Sequence, residues 1–185
     1  RVKIQYGTSM CYPVSSMGSH VSVVPNHQLN RKTPLHTRAN VAYFGTFGYE
    51  LDLNKLSDEE ISEVKQQITF MKEYRELIQF GTFYRLKSPF EGNETVWMTV
   101  SEDKKTALVF WYRERNVVNA DFTRVRLQGL DPDLIYRNEY NETENYGDEL
   151  MNLGLLTTDC TAGEPTSEDE PCTDYESRIY VLTAK

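Results

Sequence analysis

All three histidines of the chain lie between residues 20 and 36, where they could hold a metal ion or assist a nucleophile. They are His20, His27 and His36, and they lack the short spacing on one helix or hairpin that a zinc site needs. Four serines lie close before the first of them, namely Ser9, Ser15, Ser16 and Ser19. None stands in a Gly-x-Ser-x-Gly elbow, the strained turn that presents the nucleophile of many serine hydrolases. We therefore expect hydrogen-bonded loop side chains here, with no metal centre and no serine nucleophile.

Two carboxylates, Glu50 and Asp52, stand two residues apart after a predicted strand. In extended backbone they would share one face, and a pair of facing carboxylates is what glycoside hydrolysis requires. The competing interpretation, which we favour, is that both are solvated loop acids that precede a helix.

Aromatic side chains dominate the second half of the chain: Phe83, Tyr84, Trp97, Phe110, Trp111, Tyr112 and Tyr180. Flat ring faces of this kind can stack on sugars, but the core of a packed β-sandwich uses the same residues. Alternation along a strand sends Trp111 to one face and its two neighbours to the other. We favour the core for most of these side chains.

Composition excludes several classes of partner. The formal net charge of −8, from 28 acidic and 20 basic residues, lacks the basic surface that a nucleic acid or an anionic membrane would need. No apolar run approaches the roughly 20 residues that span a bilayer. The three cysteines match no zinc motif, and we expect reduced thiols, with a Cys160–Cys172 disulfide as the less favoured alternative. A cytoplasmic protein is the expectation.

Residues 1–80 read as strand, polar loop, strand and helix, which is the alternation of an α/β domain. We predict strands at residues 4–14 and 41–45, followed by strand-end loops at residues 15–19 and 46–53. The helix start is the sharpest signal, because Ser57 and Glu60 have the spacing of a capping box. Gly81 is expected to end that helix or the turn after it.

From Gly81 onward the chain is predicted to be all-β, with an antiparallel sandwich of six short strands. The predicted strands are 82–86, 95–101, 106–113, 122–127, 134–138 and 178–183, and residues 101–105 make a hairpin connection. The acidic stretch 160–176 is expected to be a mobile surface loop.

The sequence also resembles a family, the bacterial α-galactosidases of glycoside hydrolase family 36. The resemblance rests on ordered blocks at residues 13–22 (PVSSMGSHVS), 24–28 (VPNHQ), 44–52 (FGTFGYELD), 74–81 (YRELIQFG), 146–154 (YGDELMNLG) and 177–182 (SRIYVL). Several blocks in one order over most of the chain are more specific than any single motif.

The resemblance implies that residues 1–80 are the last strands and helices of a (β/α)₈ catalytic barrel and that residues 81–185 are its C-terminal antiparallel β-sandwich. It implies a retaining mechanism with two aspartates, neither of which is in this chain, so no catalytic residue is assigned. Both are expected before Arg1, and the chain alone is expected to be inactive. Ser16, Met17, Gly18 and His20 are expected at the C-terminal end of a barrel strand, where they would contact substrate. A purely structural role for these four residues is the alternative.

The function implied is hydrolysis of terminal α-D-galactosyl residues in oligosaccharides such as melibiose and raffinose. The implied partners are the α-galactoside, the rest of the catalytic barrel and further copies in a homo-oligomer, with no cofactor. One alternative is a non-catalytic carbohydrate-binding or assembly module, and another is a related galactosyl transferase.

Overall fold

The computed structural model describes residues 1–117, 122–157 and 174–185. The chain forms two compact units, Arg1–Phe80 and Gly81–Lys185. The alternative Cys160–Cys172 disulfide and most of the acidic stretch 160–176 lie outside the described residues. Within the described ranges, no helix has the length and apolarity needed to cross a bilayer.

The first unit alternates helices with two short strands. Its elements are α1 (Val2–Thr8), β1 (Val21–Ser22), α2 (Leu35–Ala42), β2 (Tyr49–Glu50) and α3 (Asp58–Phe80), with single 3₁₀ turns at Val14–Ser16 and Leu53–Lys55. The two strands run parallel, with Val21 opposite Tyr49 and Ser22 opposite Glu50. A strand, a helix and a second parallel strand therefore follow one another, as in a βαβ unit.

The strand predicted over residues 4–14 is wrong, because residues Val2–Thr8 form the helix α1. Gln5 and Tyr6 face the interior of the unit, whereas Ile4 is 72% exposed. A short run of apolar and β-prone residues fits the periodicity of a helix as well as that of a strand, so periodicity alone could not distinguish a helix from a strand here. What fixes the helix is tertiary: the Gln5 side chain donates to the carbonyl oxygens of Val41 and Phe44.

The strand predicted over residues 41–45 is also wrong, because the helix α2 and the turn after it occupy this segment. Pro34 stands directly before the helix, a position that its fixed φ and missing N–H suit. Ala39, Ala42 and Phe44 are fully buried or nearly so. A helix buried on several sides reads in sequence as a continuous apolar run, which is also the pattern of a buried strand. The second strand, β2, instead falls within the predicted loop 46–53.

The start of α3 is confirmed. The backbone N–H of Ser57 donates to Oε2 of Glu60 over 3.0 Å, and the backbone N–H of Glu60 donates to Oγ of Ser57 over 3.2 Å. These reciprocal bonds satisfy two donors that the first helical turn would otherwise leave open. The helix ends at Phe80, directly before Gly81, as expected.

The second unit is dominated by antiparallel sheet. Its elements are β3 (Thr82–Lys87), β4 (Glu94–Val100), β5 (Thr106–Arg113), β6 (Arg124–Val125), β7 (Ile135–Asn138), β8 (Glu144–Tyr146), α4 (Gly147–Asn152), β9 (Leu155–Leu156) and β10 (Glu176–Ala184). Among the described residues, six strands form one sheet in the order β3-β4-β5-β10-β7-β8, and β6 pairs with β9. All of these pairs are antiparallel.

Five of the six predicted strands of this unit agree with the structure to within a few residues, whereas the predicted strand 122–127 contains only the two-residue β6. The strands β8 and β9 were not predicted, because two or three residues carry too little periodicity to detect. The hairpin at residues 101–105 is confirmed: Ser101 N–H donates to the carbonyl oxygen of Thr106 over 2.9 Å, and Lys104 has φ 58°.

The aromatic side chains of this unit are mainly core. Trp97, Phe110 and Trp111 have no exposed surface, and Tyr180 is 1% exposed. One core cluster contains Trp111 and Tyr180 with apolar residues of β4, β5, β7 and β10 and of the segments around them. A ring without exposed surface cannot stack on a sugar in solution, so these rings form no sugar platform.

Candidate functional site

The two parallel strands of the first unit present one packed face and one open face. Val21 is fully buried, and the hydroxyl of Tyr49 donates to Oε1 of Gln67 on α3 over 2.8 Å. Because side chains alternate along a strand, Ser22 and Glu50 point to the opposite face. The open face is therefore polar, whereas the face toward the helices is packed.

His20 stands directly before β1 and contacts the neighbouring strand. Its Nε2 lies 2.6 Å from Oε2 of Glu50, and the two side chains are 41% and 74% exposed. Arg1 donates to the carbonyl oxygen of His20 and to Oγ of Ser22, and its Nη2 lies 3.0 Å from Nε2 of His20. A guanidinium, an imidazole, a hydroxyl and a carboxylate thus meet on one face, and all four hydrogen-bond readily to hydroxyl groups.

Glu50 and Asp52 do not act as a pair. Glu50 contacts His20, whereas Oδ1 of Asp52 accepts the backbone N–H of Asn54 over 3.1 Å and its side-chain amide over 3.0 Å. Asp52 caps the 3₁₀ turn Leu53–Lys55 and lies outside any regular strand. The favoured interpretation as a loop acid ahead of α3 agrees with this geometry for Asp52, but it is wrong for Glu50, which lies on β2 and contacts His20.

Three of the four serines, Ser9, Ser16 and Ser19, hydrogen-bond to the backbone. Ser9 and Ser16 donate to the carbonyl oxygens of Tyr6 and Pro13, each three residues earlier. Ser19 donates to the carbonyl oxygen of Ala42 over 2.5 Å and accepts the N–H of Phe47 over 3.1 Å. In the described part of the chain, no group of three or more His, Cys, Asp or Glu side chains is arranged to hold a metal ion.

His20 directly precedes β1, so the expected place of all four residues at the carboxyl end of a strand is wrong; Ser16, Met17 and Gly18 lie further before the amino end of β1. Together with Ile4 and Tyr12 they line a groove of about 420 Å³. The main chain of Met17 donates to Val14 and accepts from Thr46, and its side chain is 4% exposed. The error follows from the mistaken strand at 4–14, which placed these residues after a strand rather than before one. Whether they contact substrate stays a prediction.

Arg38 and Asn26 organise the segment that follows β1, and the sequence offered only a weak signal for either. Arg38 lies on α2 and donates to the carbonyl oxygens of Ser22 and Thr33. Oδ1 of Asn26 accepts the backbone N–H groups of Gln28 and Leu29 over 3.0 and 3.1 Å. An Asn after a Pro is a turn signal, but nothing local marks the partners of Arg38.

A second charged cluster lies in the other unit, where Glu94, Arg113 and Glu176 are register partners on β4, β5 and β10. Arg113 is 3% exposed and donates from Nη2 to Glu176. Glu94 accepts the indole N–H of Trp111 over 3.2 Å and pairs with Lys87. These contacts are internal to one sheet, so the cluster stabilises the strands rather than forming an open site.

Comparison of the sequence with known proteins identifies the family to which the chain belongs. The sequence profile described as Melibiase matches residues 1–81, and the profile described as Glycosyl hydrolase family 36 C-terminal domain matches residues 94–182. The boundary between the two matches falls near the boundary between the two units.

Relatives agree with both profiles. Alpha-galactosidase AgaA of Geobacillus stearothermophilus is 54% identical over 155 residues, which are 84% of this chain and 21% of that protein. The solved α-galactosidase of Lactobacillus brevis superposes with a TM-score of 0.92 at 43% identity, covering 100% of this chain and 24% of that one. A variant of AgaA solved in complex with raffinose gives a TM-score of 0.89 at 47% identity, with the same two coverages. The chain thus spans about a fifth to a quarter of the length of these relatives, and it belongs to glycoside hydrolase family 36.

Proposed function

We propose that this chain is the carboxyl-terminal part of a retaining α-galactosidase that releases terminal α-D-galactosyl residues from oligosaccharides such as melibiose and raffinose. The observation that carries the proposal is the 54% identity with an α-galactosidase over 84% of the chain. Substrate class has further support from a similar protein that was solved in complex with raffinose.

The proposal includes a domain assignment. Residues 1–80 would supply the last β/α units of a (β/α)₈ barrel, and residues 81–185 the C-terminal β-sandwich. Support comes from the order β1-α2-β2-α3 with parallel strands, since this alternation is the repeat of such a barrel. Two strands cannot close a barrel, so the remaining strands and both catalytic aspartates would come from the rest of the protein.

In that arrangement the open face of β1 and β2 faces the barrel interior. Ser22 and Glu50, the last residues of β1 and β2, would then lie near the carboxyl ends of the strands, the end at which barrel active sites lie, and the His20 side chain would lie beside Glu50. We retain His20 as a candidate substrate-binding residue because its ring is partly exposed and contacts Glu50 on the next strand. Ser16, Met17 and Gly18 precede β1, a position that favours the structural alternative.

The direct test is hydrolysis of a nitrophenyl α-galactoside by the full-length protein that carries this chain and by the 185-residue chain alone. We expect turnover by the full-length protein, none by the chain alone, and α-galactose as the first anomer seen by NMR. Turnover by the purified chain would contradict the assignment of the catalytic groups, and β-galactose would contradict retention.

A carbohydrate-binding or assembly module is the second candidate, and burial of both tryptophans argues against a tryptophan-based sugar platform. Addition of galactose to the isolated chain should therefore leave tryptophan fluorescence unchanged. A galactosyl transferase would differ in its products, since it would extend raffinose rather than only release galactose. Homo-oligomerisation and a cytoplasmic location stay predictions, and light scattering of the full-length protein would test the first.

A further inference from the structure

The guanidinium group of Arg38 joins both ends of the segment that follows β1. Its Nη1 donates to the carbonyl oxygen of Ser22, the last residue of β1, over 2.6 Å. Its Nε donates to the carbonyl oxygen of Thr33, close to the start of α2, over 3.0 Å. We call residues 23–33 the β1 loop. One side chain on α2 thus fixes where this loop begins and where it ends.

The β1 loop is also ordered from within. The backbone N–H of Asn26 donates to the carbonyl oxygen of Arg31 over 2.9 Å, and that of Asn30 donates to Asn26 over 2.8 Å. The side chain of Asn26 accepts two further backbone N–H groups, as described above. The loop therefore has a defined turn at its tip, and its orientation depends on how its ends are held.

Arg38 suits this role better than a lysine would. Its planar guanidinium offers several N–H donors in a fixed geometry, whereas the three N–H donors of an ammonium group radiate from one nitrogen atom on a flexible chain. Arg38 is half-buried, and burial lowers its pKa while the carboxylates of Glu60 and Glu63 on α3 oppose that shift. These two carboxylates favour the charged form that donates to both carbonyl groups.

We propose that Arg38 is a positioning residue for substrate: it holds the β1 loop at the carboxyl end of a barrel strand, where polar side chains of the loop bind hydroxyl groups of an α-galactoside. This inference rests on the proposed function. The exposed polar side chains of the loop include Asn26, Gln28, Asn30 and Lys32. They can hydrogen-bond to sugar hydroxyls, but they supply no carboxylate for retaining hydrolysis. Loss of the positioning should therefore weaken binding and spare the chemical step.

The test is steady-state hydrolysis of raffinose by the full-length protein with Arg38→Met, Arg38→Lys and a control, Arg137→Met. In Arg38→Met we expect KM to rise about fivefold, since a net hydrogen bond is worth about 1 kcal/mol, with kcat within about twofold. Arg38→Lys keeps the charge and an N–H donor group that can reach at least one of the two carbonyl groups, so its KM should rise by a smaller factor. Arg137 pairs with Glu142 on an exposed surface of the other unit, and its variant should match wild type.

Hydrogen exchange of the loop amides supplies a readout that does not depend on activity. Exchange at Gln28 and Leu29 should be faster in Arg38→Met than in wild type and should stay at the wild-type rate in Arg137→Met. If Arg38→Met does not fold, Arg38→Lys carries both measurements.

The outcomes separate the two ideas. Faster exchange with an unchanged KM, or an equal loss of kcat and kcat/KM, would overturn the positioning of substrate by Arg38. Wild-type protein that hydrolyses no α-galactoside would instead overturn the proposed function, and the exchange data would then show whether Arg38 still holds the loop.

Discussion

The side-chain amide of Gln5 donates to the carbonyl oxygen of Phe44 over 2.6 Å, so a residue of α1 closes the turn that follows α2. The same amide donates to the carbonyl oxygen of Val41 over 3.0 Å. Gln5 is 8% exposed. Both carbonyl groups lie at or just after the end of α2, where carbonyl groups have no further N–H donor within the helix. This buried amide, together with the buried Tyr6, joins residues 2–8 to the packed unit.

Gln5→Glu should destabilise the chain by at least about 2 kcal/mol. An ionised carboxylate cannot donate to the two carbonyl groups, and it would be buried against them. Urea unfolding followed by circular dichroism measures the change. The control is Gln66→Glu, the same substitution at an exposed position of α3, which should shift the free energy of unfolding by less than about 0.5 kcal/mol. Equal effects of the two substitutions would show that the Gln5 bonds contribute nothing.

Gly147→Ala should also destabilise by at least about 2 kcal/mol, since a Cβ there would lie 1.9 Å from the carbonyl oxygen of Asp131. That atom belongs to the main chain, so relief requires movement of the backbone between β6 and β7. Gly92 is the matched control, because a Cβ at that position meets nothing within 4 Å. Thermal unfolding of both variants compares them, and a stable Gly147→Ala protein would mean that this segment moves freely.

Glu176→Gln should lower the free energy of unfolding by about 3 kcal/mol. Arg113 is almost fully buried, its Nη2 donates to Glu176, and its Nε and Nη1 have no hydrogen-bond partner among the described residues. Removing the carboxylate charge takes the ion-pair partner from the buried guanidinium of Arg113, which is the costly way to break an ion pair, and also weakens the pair of Glu176 with Arg178. Glu142→Gln is the control, because its pair with Arg137 is largely exposed and worth at most about 1 kcal/mol. Similar unfolding midpoints in guanidinium chloride for the two variants would contradict the prediction.

The free energy of unfolding should fall as the pH rises from about 10 to about 12. Burial, aided by the nearby Glu63, raises the pKa of Tyr49 to about 12 from an ordinary value of 10.0. The unfolded chain therefore loses this proton first, and stability that is complete below pH 10 is lost as the pH approaches the folded value. Tyr49→Phe should make the decline shallower. Burial also raises the pKa of Tyr43, so part of the decline should remain.

Urea unfolding at several alkaline pH values measures both slopes. An identical slope for wild type and Tyr49→Phe would show that Tyr49 does not contribute.

Local signals in the sequence were sufficient to predict a structural element where the donor and the acceptor of its hydrogen bonds lie within a few residues of each other. The capping box of Ser57 and Glu60 and the hairpin from Ser101 to Thr106 are of this kind, since their hydrogen bonds span three to five positions. The strands β4, β5 and β10 were also predictable, because long β-rich segments between turn residues have few other ways to fold. The ordered motif blocks identified the family without any structural information.

Only the tertiary structure decided between helix and strand at residues 2–8 and 41–45, and it also decided on which side of β1 Ser16, Met17 and Gly18 lie. Short apolar runs satisfy both periodicities, so their conformation depends on partners that are distant in the sequence. The Gln5 side chain donates to the carbonyl oxygens of Val41 and Phe44, and the Arg38 side chain donates to the carbonyl oxygen of Ser22. The sequence by itself determined the family and the local caps and turns, whereas contacts across tens of residues determined which face and which end of each element the polar side chains occupy.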